Sequence, residues 1–90
     1  MNTEVVEYFG VAVRQLRERR GWSQEQLAAH SNLNRSYVGE VERGHVIASI
    51  VTAHKLAFAL EMTLAGLLLH CERIEQQRVA RGIKLASIAS

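Results

Sequence analysis

Ninety residues, 48% apolar and 22% charged, describe an ordinary globular chain with room for one modest core. A single cysteine, Cys71, excludes an internal disulfide and any C-x-x-C zinc knuckle, and fits a reducing, cytoplasmic compartment. The formal net charge of +2, built on nine Arg against two Lys, does not by itself call for nucleic acid, although Arg is the cation suited to bidentate contact with phosphate and guanine.

Proline is absent, so few positions forbid helix. The first helix is expected from about Val5 to Arg20. Phe9, Ala12, Val13 and Leu16 give it one apolar face, and Gly21 stops it. Ser23 with Gln26 makes a capping box for a second helix, from Gln24 to about His30, and Trp22 with Leu27 has staple spacing. Ser31, Asn32 and Leu33 form a tight turn in which Asn32 is the residue tolerant of a left-handed backbone. Asn34 caps a third helix over Arg35–Arg43, with Gly44 just past its end. Val38 and Val41 point inward there, leaving Arg35, Ser36, Gly39, Glu40 and Arg43 to solvent.

Ser49 caps a fourth helix through about Leu60, and Thr63 a fifth that reaches Arg81, where Gly82 breaks it. Leu64, Leu67, Leu68, Cys71 and Ile74 recur on the fifth at helical spacing. The tail from residue 83 reads equally as a short strand or a frayed helix. The longest apolar stretch, Leu64 to Leu69, is far short of the roughly 18 residues that suggest a membrane span. Glu4 and Glu7 stand where a signal peptide would be basic, so none is expected. One domain over 1–90 follows, with a core over about 5–71 and an extension over about 72–90.

Two short helices joined by a tight turn, the second with a polar outer face, make a helix-turn-helix. Ala28 permits close crossing, and Leu27, Leu33, Val38 and Val41 lock it. Arg35, Ser36 and Glu40 keep the outer edge of the second helix short and polar, as entry to a major groove about 12 Å wide requires.

The stretches Ser23-Gln24-Glu25-Gln26-Leu27-Ala28, Leu33-Asn34-Arg35-Ser36-Tyr37-Val38 and Val41-Glu42-Arg43-Gly44 resemble the Cro/phage-repressor (XRE) helix-turn-helix family. Arg14-Gln15-Leu16-Arg17 before Gly21-Trp22 matches its first helix, Leu56 to Leu60 its fourth, and Leu64 with Leu67-Leu68 the start of its fifth. The likeness covers roughly residues 8 to 70, and size brings in the small dimeric members, including restriction-modification controller proteins. Three positions depart from the pattern: Asn32 for a usual Gly, Ala48 for a common Pro, and Ala53 for a larger aliphatic.

The resemblance implies an all-α, five-helix DNA-binding domain that regulates transcription, as repressor or activator, as a homodimer on a palindromic operator. By the same resemblance Arg35, Ser36 and Glu40 reach base edges. Gln24, Asn34, Tyr37 and Arg43 hold the backbone, and Arg17 with Glu42 forms a structural ion pair. Each has a plainer reading. Arg35 can be a solvated charge, Ser36 an ordinary early-helix residue, Glu40 a partner for Arg43, and Tyr37 a lid over the fourth helix. Arg14, Arg19 and Arg20 are set aside as solvated face and cap.

Leu64, Leu67, Leu68, Cys71 and Ile74 are too many for a monomer of this size to cover, so they are expected at a dimer interface. With no room for a ligand domain, control by concentration, dimerisation or a protein partner on the C-terminal segment is expected. His30, His45, His54 and His70 are scattered without metal-ligand spacing. No catalytic set of acids, Ser/His/Asp or Gly-rich loop is present, so neither enzyme activity, cofactor nor metal is expected. Two other functions fit the chain: an antitoxin binding operator and toxin through residues 72–90, and a helical adaptor that no longer binds DNA.

Overall fold

The computed structural model describes residues 4–89, with side chains over residues 4–81. Five helices follow one another: α1 Glu4–Arg19, α2 Gln24–Ser31, α3 Arg35–Glu42, α4 Ile50–Ala59 and α5 Leu64–Ala89. No strand occurs among the described residues. Local chemistry sets most boundaries. Ser23 Oγ accepts the Gln26 N–H at 3.1 Å, and Gln26 Oε1 accepts the Ser23 N–H at 2.8 Å. Asn34 Oδ1 accepts the Ser36 N–H, Ser49 Oγ the Thr52 N–H, and Thr63 Oγ1 the Gly66 N–H. Each removes one of the orphan donors that open a helix.

Asn32 closes α2 with φ 55° and ψ 45°, a left-handed residue between the two short helices. Leu33 N–H then reaches back to Ala28 O at 2.9 Å. The backbone so turned presents α3 across α2, with Leu27, Ala28, Val38 and Val41 buried together. Helices this short are not stable alone. The shared core with Tyr8, Ala12 and Val13 of α1 and Leu56, Ala57 and Leu60 of α4 holds them.

The deepest constraint is a glycine. A Cβ on Gly10 would lie 2.5 Å from Val41 O and 2.6 Å from Glu42 O. Only a bare backbone lets α1 approach the end of α3 this closely.

The fifth helix differs from expectation in two ways. It continues through Gly82 to Ala89, because one helix-interior glycine costs only about 1 kcal/mol and does not forbid helix. Ser90 lies outside the described residues. The apolar stripe is also spent differently. Leu67 is 0% and Cys71 7% exposed inside the chain's own core, and Ile74 packs against that core. Because α5 lies along α1, Leu67 and Cys71 face inward, and Ile74 is half-buried beside them. Of the five expected at a dimer interface, Leu64 is half-buried and Leu68 alone is exposed. Burial also pushes the Cys71 thiol pKa up, with Glu75 and Glu72 adding to the shift, which disfavours the nucleophilic thiolate.

Candidate nucleic-acid interface

The polar centre between α1, α2 and α3 is built around Glu42, whose side chain is 2% exposed. Arg17 grips it with two bonds, Nε to Oε2 at 2.7 Å and Nη2 to Oε1 at 3.0 Å. A third Arg17 donor, Nη1, reaches Trp22 O at 2.7 Å, and Gln24 Nε2 donates to Glu42 Oε1 at 3.0 Å. The hydrogen bond to Glu42 raises the Arg17 pKa against the opposing effect of burial. The cluster ties the end of α1, the start of α2 and the end of α3 to one carboxylate. Such a pair fixes orientation more than it adds stability, since desolvation offsets much of the attraction.

Gln24 is therefore a brace, and its second amide N–H has no hydrogen-bond partner among the described residues. Gly39 lies buried beneath it, not in solvent as the sequence suggests. A Cβ there would meet Arg43 Nη1 at 3.2 Å and Gln24 Oε1 at 3.4 Å. On the rim, Arg43 Nη2 donates to Glu40 Oε1 at 2.7 Å, while the other Glu40 oxygen lies 3.1 Å from His45 Nδ1. Arg43 first and His45 second hold the Glu40 carboxyl pKa below its usual value. Tyr37 is half-buried, with its hydroxyl 3.4 Å from Thr52 Oγ1 on α4. Asn34 spends its side-chain oxygen on the cap.

Arg35 and Ser36 stand apart. Both are exposed at the N-terminal edge of α3, and among the described residues neither side chain has a hydrogen-bond or ion-pair partner. With Gln24, Gly39, Glu40 and Arg43 they line a shallow polar groove. Sequence reasoning missed the Gln24–Glu42 bond, the His45 contact and the burial of Gly39. It also missed a stack beside the site, in which the Trp22 and His30 rings lie 4.3 Å apart and 6° from parallel, with the Arg20 guanidinium 4.6 Å from the indole. Only the proximity of Trp22 to the cap hinted at it.

A short capped helix, a left-handed turn and a second helix with an unpaired polar edge define a helix-turn-helix, the class of DNA-binding domain whose second helix enters the major groove. Residues 13–67 match the helix-turn-helix family, and the chain belongs to that family, in its Cro/phage-repressor branch. Its members here are transcriptional regulators, which are not enzymes.

The competence pilus inhibition repressor of Acinetobacter baylyi is 34% identical over 68 residues, 76% of this chain and 62% of that protein. The restriction-modification controller protein C.AhdI from Aeromonas hydrophila is 48% identical, over 69% of this chain and 94% of that one, with a TM-score of 0.67. The clp gene regulator ClgR from Corynebacterium glutamicum superposes over 93% of this chain and 88% of its own with a TM-score of 0.83, at 26% identity. The chain spans 31% to 62% of the length of the curated relatives it matches. No single helix among the described residues is long and apolar enough to cross a membrane.

Proposed function

We propose that this chain is a sequence-specific regulator of transcription in the cytoplasm. It acts as a homodimer that sets two copies of α3 in successive major grooves of a palindromic operator, about 34 Å apart. The observation that carries this reading is the unpaired, exposed edge of Arg35 and Ser36, on a helix whose other charged side chains are all engaged within the chain. A guanidinium with no partner among the described residues is ready for the O6 and N7 of guanine, a contact worth about 1–3 kcal/mol of discrimination. Arg43, Gln24 and Asn34 lie around it and hold the backbone, with Tyr37 behind them. Glu40 orients Arg43 and repels phosphate at the wrong register.

Dimerisation is supported by a surface that keeps Leu64 and Leu68 of the five residues expected from the sequence and adds residues from the start of α4 and the segment before it. Ile47, Ile50, Val51 and Leu68 are exposed, Ile50 to 74%. Three of them, Ile47, Ile50 and Leu68, rim an apolar groove of about 250 Å³ whose lining includes Phe9, Ala48 and Ala53. The two alanines add little bulk to that lining. Contiguous apolar surface of this kind marks an association site.

Selecting bound duplexes from a random pool tests the reading. Recovered sites with two-fold symmetry and half-sites one helical turn apart are the expected result, together with a dimer in sedimentation. Asymmetric sites or a monomer at binding concentrations contradict the dimer, and failure to enrich any sequence favours the adaptor function.

A further inference from the structure

We infer that Arg14 on α1, outside the helix-turn-helix, is a further contact to the DNA backbone. It forms with Gln24 and Arg43 a cleft that receives one phosphate of the duplex.

The close crossing at Gly10 brings the next turns of α1 beside α3, and Arg14 and Arg17 then flank Gln24, Glu42 and Arg43 around a polar cleft of about 300 Å³. The floor is closed chemistry. Both Glu42 oxygens are filled by Arg17 and Gln24, so that carboxylate is neutralised and repels an incoming anion little. What remains for a ligand is two guanidinium groups and the second N–H of the Gln24 amide. This donor set suits a phosphate diester. The cleft shares Gln24 and Arg43 with the groove lined by Arg35 and Ser36, so backbone seat and base-reading edge are continuous along one face.

Arg14 is occupied in the free protein by Glu18, Nε to Oε1 at 3.1 Å, with the two side chains 64% and 54% exposed. Arg43 is likewise occupied by Glu40. Exposed ion pairs of this kind are weak and exchange readily, whereas a charge-assisted bond to phosphate is strong. DNA therefore takes Arg14 by displacing Glu18, and the pair lowers affinity for duplexes in general.

This inference rests on the DNA-binding reading, and titrations of an operator duplex and an unrelated duplex over a range of salt separate the two. For Arg14→Ala, affinity for both duplexes falls by the same factor, and the magnitude of the slope of log K against log salt drops by about 0.9, the value for one phosphate contact. Glu18→Gln raises affinity for both, a gain that a misfolded variant would not show, and Arg14→Lys keeps the slope. Arg19→Ala, exposed on α1 and outside both the cleft and the groove, leaves affinity unchanged. Unchanged binding in Arg14→Ala, an effect confined to the operator, or an equal loss in Arg19→Ala overturns the inference while DNA binding stands. A wild-type protein that binds neither duplex overturns both.

Discussion

The two flanks of α1 are built from opposite materials. Towards α3 it meets a polar knot, with Arg17, Gln24 and Glu42 joined by short, directional bonds and a glycine at the crossing. Towards the start of α4 and α5 it meets loose apolar surface, where Val6, Phe9, Val46 and Ala53 line an open groove rimmed by exposed Ile47 and Ile50. Directional bonds fix an angle, and apolar burial fixes only an amount of area. The first flank therefore suits the presentation of a reading helix at one tilt, and the second suits a partner that supplies missing area.

Breaking the polar flank should have the largest effect. Glu42→Ala strands the Arg17 guanidinium, 13% exposed, and frees Gln24. Removing one partner of such a pair is expected to cost about 3 kcal/mol, read by denaturant unfolding, with DNA affinity lost besides. On the apolar flank, Ile50→Asp should leave the monomer fold intact while weakening self-association by about 2 kcal/mol, the burial value of one large aliphatic. Sedimentation equilibrium measures it, and a loss of monomer stability instead would erase the contrast between the flanks. Gly10→Ala probes the crossing itself. The added methyl would press on two backbone carbonyls, so about 2 kcal/mol of overpacking strain is expected, along with weaker DNA binding as α3 is pushed outward.

These effects also separate what the chain announces from what it conceals. The capping box of Ser23 and Gln26 and the left-handed Asn32 are legible because their partners lie within a few positions. Each is a pattern of residue type and spacing. Arg17 and Glu42 are 25 positions apart, and only the family resemblance joins them. Gly10 carries no signal within its own helix, since its reason is a pair of carbonyls at Val41 and Glu42. The stripe on α5 is visible as apolar, but periodicity shows only which residues share a face. It cannot say whether α1 or a second subunit covers that face, which is why Leu67 and Cys71 fall in the core.

Two smaller changes sharpen the picture. Asn32→Ala places an ordinary side chain at φ 55° and should destabilise by about 1 kcal/mol. Asn32→Gly should not, and melting curves of the two variants compare them. The smallest effect concerns His70, whose ring nitrogen sits 3.1 Å from Gln15 Oε1 between α5 and α1. Burial first, then Arg19 and Arg73, holds its pKa below the ordinary value. The folded state therefore resists the proton that the unfolded chain accepts. Stability is full above the unfolded histidine pKa and declines as pH falls towards the folded value. His70→Gln should flatten that part of the stability profile.

The central claim is that the unpaired edge of α3 reads bases. Comparing wild type and Arg35→Ala on the selected operator and on an unrelated duplex, at one salt concentration, tests it most directly. The account predicts that operator affinity falls by about 1–3 kcal/mol, while the weaker binding to unrelated DNA changes far less and the preference largely collapses. An Arg35→Ala protein that still prefers the operator by the wild-type ratio would contradict it.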